Sequence, residues 1–416
     1  MKDLILSMRY PLGALVMGAY IALTAFMLVR YFATAFRGGD FAAAPSRAPW
    51  RTVLTHVFAA YALSRAVMLA ALAVCYLGRN GYVYDFFDAL GWMLDRWDAG
   101  QYLPLIEHGY AAQGDEALRI VFFPLYPMLC RGIGRLTGLS ANACALCVSN
   151  LCLPACGVLL WRLAEADESA EGAVRCVWLF MFFPVTFFFS MAYSESLFLM
   201  LSLAAVLCAR RRRFIAAVVF GALCANTRML GMAIAVPIYW EMLCADDRPP
   251  LHRALLCAPR VLPVAAGLGA YLLLNQRLFG DPFRFMTYER ENWQQRFGTL
   301  MNTFQYTFNN ALTYGRHDYR FATWWPQLAA LLGVPALVFA QRRKSRAGDL
   351  AHALVYHYAA FAPTWLLSGV RYAAGGYALY LMLGSLAHRR FAVALAVEAA
   401  LMVYMTVWGL WIGVVL

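Results

Sequence analysis

The sequence predicts an all-α polytopic membrane protein, one transmembrane domain over residues 1–416, and three observations predict it. Hydrophobic residues are 62% of the chain and charged residues 14%, against about 45–50% and about 25% in soluble domains. Apolar runs approaching or reaching the roughly 17–25 residues that cross a bilayer recur along the whole length. Between them the basic residues fall in short clusters: Arg210 to Arg213, Arg342-Arg343-Lys344 with Arg346, and His388-Arg389-Arg390. That distribution orients a polytopic protein with its basic loops in the cytoplasm. It also accounts for the net charge of +12 without a nucleic-acid partner, for which an aromatic-interleaved basic stripe is the expected mark.

The first apolar run is Leu12 to Val29, preceded by Lys2 and Arg9. It is long for a signal peptide and no clear small-residue cleavage site follows, so an uncleaved span is expected. Arg30, Arg37, Arg47 and Arg51 then place the next loop in the cytoplasm, and a second span runs from Val53 to Leu77. The loop Arg79 to Arg119 is therefore external. It carries Asp85, Asp88, Asp95, Asp98, Glu107, Asp115 and Glu116 against Arg79, Arg96 and Arg119. Within it, Asp85, Asp88 and Asp95 alternate with Phe86, Phe87, Leu90 and Leu94 at the spacing of a short amphipathic helix at the interface.

Four apolar runs follow, at Ile120 to Leu136, Ala143 to Leu163, Val174 to Ala192 and Leu197 to Ala209. Four full crossings would leave Arg210 to Arg213 outside, against the charge rule, so one run does not span. The candidates are the run with Pro124 and Pro127 and the run with Pro184, because proline breaks a helix or marks its start. Broken backbone at membrane depth is tolerated where it lines a cavity. The later runs alternate consistently: Phe214 to Cys224, Met229 to Leu243, Val261 to Leu274, Trp324 to Ala340, Ala351 to Leu367, Tyr377 to Ala387 and Phe391 to Val415. About twelve or thirteen hydrophobic helices are expected, with residues 277–322 as a second external loop. On the same face as Asp98 this puts Tyr193-Ser194-Glu195-Ser196, Arg228 and Arg371.

Asp98 stands beside Trp97 at the edge of an apolar span. A carboxylate there is suited to take a hydroxyl proton as a general base, and equally suited to cap the helix that follows. Asp95 and Glu107 are weaker candidates for the same role. Arg228 and Arg371, at helix ends, can hold a phosphate or extend to the headgroup layer. Glu195, acidic near membrane depth, is a functional candidate by default or one half of a structural pair. His108 can bind a sugar or phosphate, or pack beside Gly109. His352 and His357, five residues apart, share neither a helix face nor a metal-pair spacing. Trp324-Trp325 reads as an interfacial aromatic belt. Cys144, Cys147, Cys152 and Cys156 mimic metal-ligand spacing inside a membrane helix, where small residues that let helices approach are the simpler account. No phosphate-cradling glycine loop or nucleotide fingerprint occurs, and no metal or other cofactor is expected.

Trp97-Asp98-Ala99-Gly100, Glu107-His108-Gly109-Tyr110 and Phe122-Phe123-Pro124-Leu125-Tyr126-Pro127 together resemble the PIG-V type mannosyltransferases. These are the GPI mannosyltransferase 2 family and its prokaryotic relatives, within the GT-C membrane glycosyltransferases. Phe183-Pro184, Tyr193 to Phe198, Thr227-Arg228 and Arg371-Tyr372 extend the resemblance in order over about half of the chain. It implies a GT-C fold with a large external catalytic loop at residues 79–119 and Asp98 as catalytic base. It implies inversion at the anomeric carbon and a polyprenyl-phosphate-linked mannose donor. Trp97, Tyr102, Glu107, His108, Tyr110, Glu195, Arg228, Arg371 and Tyr372 are then the substrate-binding candidates. The expected partners are that donor, a glycan or glycolipid acceptor and the lipid bilayer. The expected location is a bacterial inner membrane with the site facing the periplasm or exterior. Met229 and Gly375-Gly376 depart from the family pattern, and the first apolar run precedes its usual first span. The competing class is a flippase or exporter of lipid-linked glycans. That class predicts paired polar sites near the midplane of inverted repeats, a symmetry this sequence does not display.

Overall fold

The computed structural model describes residues 7–39, 47–82, 85–167, 169–364 and 366–413; the end of the last expected run lies outside them. The first two spans are single helices, α1 (Arg9–Ala35) and α2 (Trp50–Asn80), of 27 and 31 residues. The amphipathic segment is α3 (Phe86–Leu94), which leaves Phe87 81% and Trp92 63% exposed. Then come α4 (Ala99–His108), a 3-10 turn (Asp115–Val121) and α5 (Leu125–Thr137). The chain bends by 114° between that turn and α5, at Phe123-Pro124.

This bend keeps the run Ile120 to Leu136 at one end of the bundle. The next helix is α6 (Ala141–Ala164), capped by the Ser140 hydroxyl accepting from the Ala143 amide. Near the start of α5, Tyr126 donates its hydroxyl to the Ala145 carbonyl at 3.1 Å. Near its end, Gly134 packs on the Leu139 carbonyl. Both contacts lie at the first turns of α6, so α5 begins and finishes at one end of the bundle. At the other end of α6, Arg162 donates to the Ala48 carbonyl and Glu165 accepts from the Ala48 amide, just before α2 starts. Thus α2 and α6 run antiparallel, and residues 79–140 gather at a single end.

The Pro184 run passes from one end of the bundle toward the other, though not as one helix. Its first part is α7 (Ala170–Met181), followed by a 3-10 turn (Thr186–Ser190). Backbone groups freed by this break need partners, because the hydrocarbon region supplies none. Arg65, buried in mid-α2, reaches across to the Met181 carbonyl at 3.3 Å, the Thr186 carbonyl at 3.0 Å and the Ser190 hydroxyl at 2.8 Å. A single charged side chain thereby holds the irregular segment that leads to Tyr193.

From there α8 (Glu195–Arg210) returns, and α9 (Phe214–Ala225), α10 (Met229–Cys244) and α11 (Pro250–Phe279) follow. Where α9 meets α11, a β-carbon on Gly267 would stand 1.8 Å from the Ala222 carbonyl oxygen, so only glycine permits this approach. Residues 277–322 hold two short helices, α12 (Arg284–Asn292) and α13 (Leu300–Thr313). The remainder comprises α14 (His317–Gln341), α15 (Ala347–Phe361), α16 (Gly369–Ala374), α17 (Tyr377–Leu386) and α18 (Phe391–Ile412). Among the described residues six helices are long and apolar enough to cross a membrane alone: α1, α2, α6, α11, α14 and α18. The other hydrophobic runs are shorter or broken helices packed among them.

The end opposite residues 79–140 carries the basic clusters in a buried ionic network. Arg210 pairs with Asp167 at 2.7 Å and with Asp349, and Arg346 with Asp167 at 2.5 Å and Glu241 at 3.4 Å. Arg30 of α1 donates to the carbonyls of Arg342 and Ser345. This network ties α1, α8, α10 and α15 together at their basic ends.

Candidate active site

The site forms where α3 hands over to α4. Trp97 has φ +54°, a left-handed backbone that bulky side chains rarely adopt. The Tyr193 hydroxyl fixes this turn by accepting from the Asp98 amide at 3.1 Å and donating to the Arg96 carbonyl at 3.2 Å. The Trp97 ring rests 5.8 Å from Phe188. The broken segment held by Arg65 is therefore the surface on which the strained turn is moulded.

Asp98 occupies the N-cap position of α4, yet its side chain accepts no bond from the helix amides. Its carboxylate is turned away instead, with Oδ2 2.7 Å from Arg371 Nη1. The capping alternative is thus not the one adopted. The Asp98 side chain is 34% exposed while Arg371 is 7% exposed, so the carboxylate sits at the mouth and the guanidinium beneath it. Among the described residues, Asp98 Oδ1 has no partner.

Below this pair the charges alternate. Arg371 Nε lies 3.5 Å from Glu195 Oε1, and Glu195 Oε1 lies 2.5 Å from Arg228 Nη1. Glu195, the first residue of α8, is 2% exposed. The chain Asp98, Arg371, Glu195, Arg228 sums to zero, which is what lets four charges stand together with little water. Aromatic rings wall it. Arg371 lies 5.2 Å from the Phe188 centroid, 5.3 Å from Tyr193 and 5.2 Å from Tyr372, and Arg228 lies 5.1 Å from Tyr372. These are cation–π distances. Tyr102 donates to the Ser194 hydroxyl at 3.0 Å, and burial holds its phenol above the usual range, so it is a neutral hydrogen-bonding wall.

Seven of the sequence candidates meet here: Trp97, Asp98, Tyr102, Glu195, Arg228, Arg371 and Tyr372. Glu107, His108 and Tyr110 do not. Glu107 and His108 are 55% and 66% exposed and lie 3.6 Å from each other, because α4 carries them about 13 Å along its axis from Asp98. Tyr110 donates to the Phe122 carbonyl at 2.7 Å inside a small apolar cluster. Asp95 is held above the usual carboxylate range by burial and makes no ion pair with the site arginines.

One carboxylate at the site was not singled out by the sequence. Glu289, on α12, is partly buried, and burial together with the Asp98 charge pushes its carboxyl up to about 7. Nothing local in Tyr288-Glu289-Arg290-Glu291 marks it, since the fold of residues 277–322 over residues 79–121 brings it in. Among the described residues no three His, Cys, Asp or Glu side chains form a metal-holding group. Along α6, Cys144, Cys152 and Cys156 are buried and Cys147 faces outward. An apolar groove of about 600 Å³ runs between α1 and α14, lined by Tyr20, Phe26, Leu331 and Phe339 among others; none of the seven meeting residues lines it.

Residues 52–245 match the family model described as Mannosyltransferase (PIG-V), which bears out the resemblance carried by the motifs. The match contains Trp97, Asp98, Tyr102, Glu195 and Arg228, while Arg371 and Tyr372 lie beyond it. A comparison with curated proteins and one with solved structures give no match.

Proposed function

We propose that this multi-pass membrane protein, whose family match supports a mannosyltransferase activity, is an inverting enzyme. In this reading it moves mannose from a polyprenyl-phosphate-linked donor to a hydroxyl of a lipid-linked or glycan acceptor. The observation that carries it is the Asp98–Arg371 pair: a carboxylate at the mouth with one free oxygen, set 2.7 Å from a buried guanidinium. A base and an anion-binding cation side by side are what glycosyl transfer from a phosphate requires.

The acceptor oxygen attacks the anomeric carbon from the face opposite the phosphate. The bond from that carbon to the phosphate oxygen breaks, and its electrons leave with the lipid phosphate. The acceptor hydroxyl's proton passes to Asp98. Arg371 and Arg228 offset the charge that grows on the phosphate, a type of electrostatic stabilisation worth about 3–4 kcal/mol per donor elsewhere. Tyr102 and Glu195 are placed to receive sugar hydroxyls, and Trp97 and Tyr372 to pack on the sugar ring. The basic clusters collect at the end of the bundle opposite this site, and by the charge rule that end is cytoplasmic. The site then faces the periplasm or exterior, at the outer membrane–water interface.

The test is transfer by the purified protein from radiolabelled polyprenyl-phosphate-mannose to a panel of mannoside and glycolipid acceptors. Release of lipid phosphate together with labelled product, lost in Asp98→Asn, supports the proposal. Movement of intact donor across a vesicle with no bond cleavage would overturn it in favour of a transporter.

A further inference from the structure

Glu289 is a carboxylate without a cation. Each of the other acidic side chains of the site is paired, Asp98 with Arg371 and Glu195 with Arg228 and Arg371. Glu289 has no hydrogen-bonded or ion-paired partner for its carboxylate among the described residues, although α12 carries arginines at 284 and 290. Arg284 lies over the Tyr288 ring at 4.6 Å and Arg290 is turned outward, 54% exposed, toward Glu291.

Its position is firmly held. Phe285, one turn earlier on α12, is buried with Ile120, Phe123 and Tyr271, and its amide donates to the Asn275 side chain at 3.2 Å. Tyr271 donates to the Ile120 carbonyl at 2.7 Å and its ring stacks on Phe123 at 3.9 Å. The 3-10 turn beneath is fastened to α4 by Arg119, which donates to Gln101 at 3.3 Å, one turn from Asp98. Glu289 is within electrostatic reach of both Tyr271 and Asp98. A helix anchored this way carries Glu289 over the loop that holds Asp98.

A partly buried carboxylate with no cation of its own, near a second carboxylate, carries a cost, and a glutamine would fill a purely structural position without it. A hydroxyl-rich ligand offsets that cost, because each hydroxyl can donate to a carboxylate. We propose that Glu289 is a sugar-binding residue of this site that accepts a hydrogen bond from a hydroxyl of the saccharide held beside Asp98. The proposal rests on the glycosyltransferase reading above and adds to it a residue from the second loop. Burial and the Asp98 charge already raise the Glu289 carboxyl, and a donated hydroxyl would favour its ionised form. The shared chemistry is a saccharide hydroxyl; donor and acceptor are separated by the test.

The experiment is a cycle of Glu289→Ala against singly deoxygenated substrates, using polyprenyl-phosphate-mannose analogues in one arm and deoxygenated mannoside acceptors in the other. In the wild type, removal of the hydroxyl bound by Glu289 is expected to lower kcat/KM about 10- to 100-fold, as for a hydrogen bond to a charged group. In Glu289→Ala that one penalty disappears while the others persist, and the arm in which it disappears names the sugar. Glu289→Gln, which still accepts a hydrogen bond, restores part of it. Arg290→Ala on the same helix leaves all penalties unchanged. A loosened α12 would instead scale every substrate alike, and that result, or wild-type kinetics in Glu289→Ala, overturns the proposal. If the wild type transfers no mannose from any donor, it is the glycosyltransferase reading that fails.

Discussion

Asp98→Asn separates a base from a structural carboxylate. Asn and Asp are equal as N-caps, and Asp98 makes no capping bond in any case, so the start of α4 is untouched. The ion pair to Arg371 is lost, but Asp98 is 34% exposed, and such pairs contribute about 0.2–1 kcal/mol. Arg371 keeps Glu195 at 3.5 Å. The thermal midpoint should therefore move by only a few degrees. Loss of a general base costs about 10²- to 10⁴-fold in rate, which at 1.36 kcal/mol per decade is about 2.7–5.4 kcal/mol of barrier. The assay is single-turnover transfer in detergent or nanodiscs from labelled polyprenyl-phosphate-mannose, with thermal unfolding measured on the same preparation. Transfer within threefold of wild type, with a normal melting profile, refutes Asp98 as the proton acceptor. A collapsed melting profile refutes the structural half of the argument, because it would mean the pair bears more of the fold than its exposure allows.

Substitutions at four other positions probe the surroundings. Glu195→Gln should be the reverse case: the carboxylate is 2% exposed and shared by Arg228 and Arg371, so its loss strands buried charge at about 3–5 kcal/mol, read as a fall in melting temperature larger than that of Asp98→Asn. Trp97→Gly should be more stable than Trp97→Ala by about 1 kcal/mol, since both lose the ring contact but only alanine keeps the cost of φ +54°; equal melting points would argue against strain at this turn. Gly267→Ala should sharply reduce the yield of folded protein, because the added carbon would lie 1.8 Å from the Ala222 carbonyl, whereas Gly269→Ala on the same helix meets open space and should behave as wild type.

Much of the fold was legible because the bilayer imposes a simple rule on every crossing, and the arginine clusters report the parity. The parity conflict between residues 120 and 209 was visible too, but its resolution depended on Tyr126 and Gly134 both meeting the first turns of α6, which no local pattern encodes. Arg65 is not among the residues the sequence reading singles out, although an ionisable residue at that depth is a signal. Its task is to satisfy the backbone broken at Pro184. At the site, Asp98, Glu195, Arg228 and Arg371 come from four separate elements, and what links them in the sequence is the alternation of spans that puts them on one face, together with the motif resemblance. Glu107 and His108 carry the same resemblance, but the helical advance of α4 sets them apart from the charged chain at Asp98, and Tyr110 hydrogen-bonds to Phe122. Glu289 is the opposite case: far from the motifs in sequence, it is carried by a helix packed over the loop that holds Asp98.

The alternating charges also predict what happens when a phosphate arrives. Both arginines are already engaged, so an anionic ligand competes with a carboxylate for their charge. Glu195 is held by two guanidiniums and is 2% exposed. Asp98 is held by Arg371 alone and is 34% exposed, so Asp98 is the one to yield. We therefore expect, as a hypothesis, that binding the lipid phosphate and freeing the base are one event. It follows that Asp98→Asn, though impaired in transfer, should bind polyprenyl phosphate more tightly than wild type, because the competitor for Arg371 is gone. The gain is bounded by the worth of a partly exposed pair, about 0.2–1 kcal/mol, hence roughly 1.5- to 5-fold in Kd. Isothermal titration or tryptophan quenching with a short-chain polyprenyl phosphate measures it. Weaker binding by Asp98→Asn would mean that the carboxylate helps to position the phosphate site instead of competing for it.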